Sequence, residues 1–181
     1  MIQVPDYRAL LSRAERLYDQ AEVEAAISAM AAAMTPVLAA TNPVVLCVMT
    51  GGVVLAGKLL TQLEFALELD YLQIGRYGHS TQGGEVRWRV QPAIDLKGRT
   101  LLLLDDILDE GATLVAATEY CKSAGADQVF TAVLVDKRHD RKVRPDMRAD
   151  FTGLHTEDRY LFGYGLDYQG YLRNAPGIFA L

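Results

Sequence analysis

Cysteine, tryptophan and histidine are scarce in this chain: 2, 1 and 3 among 181 residues. Cys47 and Cys121 are too few for a disulfide framework and lie in no metal-ligand spacing. Both sit in apolar or helical stretches and read as buried free thiols, which fits a reducing compartment. His79, His139 and His155 show no ligand spacing either and read as surface or internally satisfied side chains. Positive charge is also short, with 18 Lys and Arg against 23 Asp and Glu and a net charge of −5. That balance speaks against a dedicated nucleic-acid binder. There is no basic-then-apolar leader, no apolar run near the ~20 residues of a membrane span, no internal repeat and no low-complexity tail. A cytoplasmic protein with neither nucleic-acid nor membrane partner is expected. What is present is an ordinary globular balance, half hydrophobic and 23% charged, enough for one domain with a real core.

Residues 7–34 place Leu10, Leu11, Ala14, Leu17, Ile27 and Met30 at roughly helical spacing, so a helix is expected there, closed by Pro36 and the Thr41-Asn42-Pro43 turn. Val44 to Met49 is a short β-branched run bounded by turn signals, which reads as a buried parallel strand. A helix over 53–64 follows, then strands at 66–74 and 101–105, a helix over 113–124 ending at Gly125, and a strand at 128–135. This alternation predicts an α/β fold with a mostly parallel twisted sheet flanked by helices. In such folds ligands bind beyond the carboxyl ends of the strands. Two segments break the pattern. GRYGHSTQGGEVRWRVQ (75–91) is polar and glycine-rich; EVRWRV alternates like a hairpin strand, with Trp88 as a packing residue, and the whole is expected to be a lid or binding loop. Residues 137–173 carry many charges and strands too short for the alternation.

The most informative stretch is LLLLDDILDEGATL, residues 101–114. Four leucines make a buried strand and run directly into Asp105 and Asp106. Neighbouring carboxylates repel, and each prefers water, a cation or hydroxyl donors. Asp109-Glu110-Gly111-Ala112-Thr113 then enters a helix. Gly111 lets backbone come close to a ligand, the helix start offers free N–H groups suited to phosphate, and Thr113 adds a hydroxyl. One stretch thus joins acceptors for sugar hydroxyls to a phosphate cradle, the two demands of a ribose 5-phosphate. A strand–turn–helix whose acids merely cap the helix, or a phospho-acceptor receiver domain, are the other readings of the acid pair.

The same residues resemble the phosphoribosyl-diphosphate-binding motif of type I phosphoribosyltransferases. VMTGG (48–52) is similar to the diphosphate loop of the purine-salvage branch. VDKR (135–138) is similar to the segment that supplies the purine-reading lysine, and YLFGYGLDYQGYLR (160–173) resembles the hood of hypoxanthine-guanine phosphoribosyltransferases. The matches run in family order over most of 44–173. The resemblance implies a single domain over 1–181, with a core at about 36–136, a flexible loop at about 75–91, and a small hood from about 137–181 plus the N-terminal segment.

It also implies roles. Asp105 and Asp106 would hold the ribose hydroxyls, directly or through magnesium and water. Asp109 would act as general base, or stabilise the proton, near purine N7. Asp109, Glu110, Gly111, Ala112 and Thr113 would surround the 5-phosphate. Thr50, Gly51, Gly52 and Arg173 would bind the diphosphate, and Asp167 a magnesium ion with it. Lys137 would donate to the purine O6, Tyr160 would stack on the base, and Leu161 would present backbone to its 2-position. Arg76 and Tyr77 would close from the flexible loop, with Arg87 and Arg89 either assisting or forming a solvated face.

Three positions depart from the family pattern: Asp105 where it usually has Glu, Thr50 where Lys or Arg is common, and Arg76 before Tyr77 where Ser is usual. The implied activity is magnesium-dependent transfer of phosphoribosyl to hypoxanthine or guanine in a homo-oligomer, dimer or tetramer. A xanthine- or hypoxanthine-preferring relative and a non-catalytic nucleotide- or RNA-binding regulator of the same fold are the alternatives.

Overall fold

The computed structural model describes residues 4–76 and 86–181. Its elements run α1 (Tyr7–Arg13), β1 (Glu15–Asp19), α2 (Gln20–Leu38), β2 (Val44–Met49), α3 (Val53–Leu59) tightening into a 3₁₀ turn at Leu60–Gln62, β3 (Glu68–Arg76), β4 (Val86–Val90), β5 (Thr100–Leu108), α4 (Ala112–Ser123), β6 (Gln128–Arg138), β7 (Phe151–Glu157), β8 (Leu161–Phe162) and β9 (Gly177–Ala180).

The leucine run explains the main sheet. Leu101, Leu102, Leu103 and Leu104 have no exposed surface. Alternation sends Leu102 and Leu104 into the core under α2 and α3, and Leu101 and Leu103 into the core under α4. A strand covered on both faces has no need of polar residues on either side, and that is why the sequence runs apolar without a break. The sheet order is β4-β3-β2-β5-β6-β7, parallel throughout except that β4 lies antiparallel on β3. Trp88 on β4 packs against Tyr120 of α4 with ring centroids 4.4 Å apart, as a packing residue should. Residues 77–85 of the expected loop, Tyr77 and His79 among them, lie outside the described residues.

Several boundaries differ from the sequence expectation. The helix expected over 7–34 is two helices with a strand between them. Residues 15–19 pair antiparallel with β9, and Asp19 starts α2 through a reciprocal capping box with Glu22. Long-range pairing and a strong cap override a weak local helical period. α2 then runs through Pro36 to Leu38. By length and composition α2 does reach the size of a membrane span, 19 residues at mean hydropathy 1.3, contrary to the expectation that no stretch approaches one. Here its Val23, Ile27, Met30 and Met34 are buried in the core against the sheet.

β5 and β6 each extend three residues beyond the expected strands, so Asp106 and Lys137 lie within strands rather than after them, and Asp105 is not the last strand residue. β7, in the charged segment 137–173, joins the main sheet. β1, β9 and β8 form a separate three-stranded antiparallel sheet beside the carboxyl edge. Its small core holds Phe162, Leu172, Ala175 and Phe179, with Phe162 stacked on Phe179 at 5.4 Å and Leu10, Leu11 and Ala14 packed over them.

Phe162 is fully buried in this small core. Phe162→Ala is expected to lower the unfolding free energy by about 3–5 kcal/mol, read from a denaturant titration, because the cavity opens in a core too small to collapse around it.

Candidate active site

β2 and β5 are in register only from Val44↔Leu101 to Cys47↔Leu104. β6 stays paired with β5 as far as Leu108↔Asp136. Past residue 104 the sheet therefore opens between β2 and β5, and Asp105 and Asp106 face the opening. β2 leads through a cis Met49–Thr50 peptide into the Gly51-Gly52 turn on the other side of the opening. The approach is so close that a Cβ on Gly51 would sit 2.1 Å from Asp106 Oδ2. A larger residue there would have to displace the Asp106 carboxylate.

Both aspartates are only 8% exposed. Asp105 Oδ1 accepts a hydrogen bond from the Asp106 backbone N–H at 2.9 Å. Burial, and then the neighbouring Asp106 charge, pushes the Asp105 carboxyl well above the usual carboxylate range. Burial also raises Asp106, against the lowering effects of the contact with Asp105 and of Arg173. Arg173 lies 3.6 Å from Asp106 Oδ2, donates to the Gly165 carbonyl and pairs with Asp167 Oδ1 at 2.6 Å. Asp167 is itself fixed by the Gly170 N–H at 2.7 Å. Three carboxylates around one guanidinium leave negative charge that a divalent cation and sugar hydroxyls would satisfy.

Two cavities meet here. The first, of about 350 Å³, is lined by Thr50, Gly51, Asp105, Asp106, Asp109, Gly111, Thr113, Asp167 and Arg173, with Val48, Met49, Ile74, Ile107 and Leu114. The second, of about 200 Å³, is lined by Lys137, Tyr160, Leu161 and Leu166, with Asp106, Ile107, Asp109 and Asp167 shared between the two. At the floor of the first, α4 begins at Gly111, whose φ of +87° suits glycine, and no side chain caps the helix. No side chain accepts from the first-turn amides, and the reading of Asp109 as a helix cap does not hold.

Asp109 instead faces across to β6. Its Oδ2 lies 3.2 Å from Lys137 Nζ and its Oδ1 2.7 Å from His139 Nε2. Lys137 is 8% exposed and also faces Asp158 at 3.6 Å. Tyr160 is half exposed beside the second cavity, its ring edge-on to Tyr168 at 5.8 Å, while Leu161 is buried at its wall. Of the remaining expected residues, Gly52 stands behind the turn, Glu110 and Ala112 flank Gly111 without lining either cavity, and Arg76 ends β3. His139 is the residue that sequence reasoning missed. The signal for it was its spacing: two residues after Lys137 along an extended chain, it falls on the same side.

A family model described as "Phosphoribosyl transferase domain" matches residues 13–169. The chain is 31% identical over 163 residues to the hypoxanthine-guanine phosphoribosyltransferase of Bacillus subtilis (strain 168), covering 90% of this chain and 89% of that one. It is 32% identical over 162 residues to the hypoxanthine-guanine-xanthine phosphoribosyltransferase of Tritrichomonas foetus, covering 90% and 88%. A solved hypoxanthine-guanine-xanthine phosphoribosyltransferase superposes with a TM-score of 0.83 at 30% identity, over 92% of this chain and 96% of that one.

The raised Asp105 carboxyl has a consequence for stability. An unfolded Asp gives up its proton near pH 4, roughly, whereas the folded one holds it longer, so the pair destabilises the ligand-free protein as pH rises above that point. Asp105→Asn keeps the acceptor for the Asp106 N–H and removes the charge. It is expected to raise the Tm of the ligand-free protein at pH 8 by about 2–4 °C per kcal/mol relieved, with the gain fading as the pH falls to about 4, both read by a melting series across pH.

Proposed function

The chain belongs to the phosphoribosyl transferase family, and from that premise we propose that it is a purine-salvage hypoxanthine-guanine phosphoribosyltransferase. It transfers the 5-phosphoribosyl group of phosphoribosyl diphosphate to hypoxanthine or guanine, giving IMP or GMP and diphosphate. The observation that carries this reading is the junction of the two cavities at Asp106, Ile107, Asp109 and Asp167. One cavity has acids and an uncapped helix start for a sugar phosphate. The other has an ammonium and an aromatic ring for a 6-oxopurine. The reacting carbon and nitrogen meet where they join.

Within this reading the amides of the Gly111–Thr113 turn and the Thr113 hydroxyl hold the 5-phosphate. Asp105 and Asp106 hold the ribose 2- and 3-hydroxyls. The Thr50–Gly52 backbone and Arg173 bind the diphosphate. The buried acid pair and Asp167 are a donor set suited to magnesium, which when bound supplies charge neutralisation for the departing diphosphate. Lys137 shifts from its two carboxylates to the purine O6, an acceptor that adenine lacks at that position. Tyr160 stacks on the base and Leu161 offers backbone to its 2-position. As the C1–O bond to diphosphate breaks and the bond from C1 to the purine nitrogen forms, Asp109 takes or shares the proton at N7. Closure of the 75–91 loop, with Arg76 and Tyr77, excludes water that would otherwise hydrolyse the activated sugar. A homo-oligomer, dimer or tetramer, working in the cytoplasm on small-molecule substrates completes the reading.

The test is nucleotide formation from phosphoribosyl diphosphate and magnesium, with hypoxanthine, guanine, xanthine and adenine offered separately. Turnover of hypoxanthine and guanine but not adenine is expected, and Asp109→Asn should slow it by about 10²–10⁴-fold. The xanthine arm separates a broader relative from a narrower one. Binding of phosphoribosyl diphosphate without turnover of any base would overturn the enzyme reading and leave a regulator of the same fold.

A further inference from the structure

Asp109 needs more than a place in the chain to act on the base. The last torsion of an aspartate is broad and roughly two-fold, so nothing within the side chain decides which oxygen points where. Two donors decide it in this protein, and they differ in kind. Lys137 Nζ, 3.2 Å from Oδ2, also faces Asp158 at 3.6 Å and lines the base cavity. His139, 2.7 Å from Oδ1, lines neither the base cavity nor the sugar-phosphate cavity, and its side chain is only 3% exposed.

The ring of His139 is also fixed from behind. The Arg141 backbone N–H donates to its Nδ1 at 3.1 Å. A nitrogen that accepts carries no proton, so the proton lies on Nε2 and is donated to Asp109 Oδ1. Arg141 is in turn held by a forked pair to Asp158, and His139 directly follows β6. Asp109, His139 and Asp158 bring ligand atoms within 4.8 Å of one another. However, Lys137 and Arg141 already stand against the two carboxylates, so the cluster does not call for a cation.

We propose that His139 is the positioning residue for Asp109: its Nε2–H pins Oδ1 so that Oδ2 faces the purine when Lys137 leaves for O6. Lys137 is the exchangeable donor and His139 the permanent one. This inference rests on the proposed assignment of Asp109 as the proton acceptor. His139 touches neither the base nor the sugar, and it acts only through Asp109.

The experiment compares His139→Gln with His139→Met in steady-state turnover of hypoxanthine, alone and in the Asp109→Asn background. Gln and Met are close in size, and both fill the pocket, but only Gln carries an N–H that can reach Oδ1. His139→Met should lower kcat by about 10–100-fold, the scale of a misplaced reacting group. The KM for phosphoribosyl diphosphate, whose cavity His139 does not line, should stay near the wild-type value. His139→Gln should recover most of kcat. In the Asp109→Asn background His139→Met should have no further effect, since both changes remove one unit. Three results would overturn the proposal: equal loss in Gln and Met, a loss that persists in full on top of Asp109→Asn, or wild-type kcat in His139→Met. A wild-type protein that turns over no base would instead sink the functional reading itself. If His139→Met fails to fold, full activity in His139→Gln still supports the donor and a folded, inactive His139→Gln contradicts it.

Discussion

Two carboxylates buried side by side at the end of an all-leucine strand are the constraint around which the rest is arranged. A hydrophobic strand covered on both faces is what carries Asp105 and Asp106 to a place where only 8% of each is exposed. Their position then dictates their neighbours. Gly51 leaves room for the Asp106 carboxylate, which occupies the space a Cβ would take. Arg173 reaches in from the hood and tempers the charge without cancelling it. Burial therefore disfavours the charged forms of both carboxyls, and in the proposed function a cation with a polyhydroxylated ligand would offset that charge.

The hood follows from the same requirement. A parallel sheet presents loops at its carboxyl edge but has nothing above them. β8 of the small sheet carries Leu161, Tyr160 directly precedes it, and the turns between β8 and β9 carry Asp167 and Arg173, all of which line the cavities. That sheet closes only because the N-terminal strand pairs with the last one. It is fastened to the main body by Tyr164, whose hydroxyl donates to Glu24 of α2 at 3.0 Å, with Lys58 of α3 on the same carboxylate at 2.8 Å. Chain ends far apart in sequence thus set the geometry at the centre of the molecule.

The main sheet was legible because its signals are local. An unbroken β-branched or leucine run bounded by turn residues states both the strand and its burial. The helix start after the acid pair was legible because a glycine there suits the positive φ that Gly111 takes just before α4. β1 was not, since Leu17 and Tyr18 suit either period and the decision belongs to β9, some 160 residues away. β5 and β6 were placed too short because a buried strand ending in charged residues looks, in sequence, as though it stops at the first charge. His139 was missed for a related reason. A lone histidine among charges reads as surface, and only the fold shows that its ring is enclosed with one nitrogen on Asp109 and the other on a backbone N–H.

The claim that the buried acid pair waits for a cation and a sugar phosphate together is tested most directly by the Kd of phosphoribosyl diphosphate, measured by calorimetry with magnesium and again with a chelator. Leaving buried charge uncompensated costs about 3–5 kcal/mol, so affinity is expected to fall by about 10²-fold or more when magnesium is withdrawn. Equal affinity in the two conditions would mean that Asp105 and Asp106 are already satisfied within the protein, and the account built on them would be wrong.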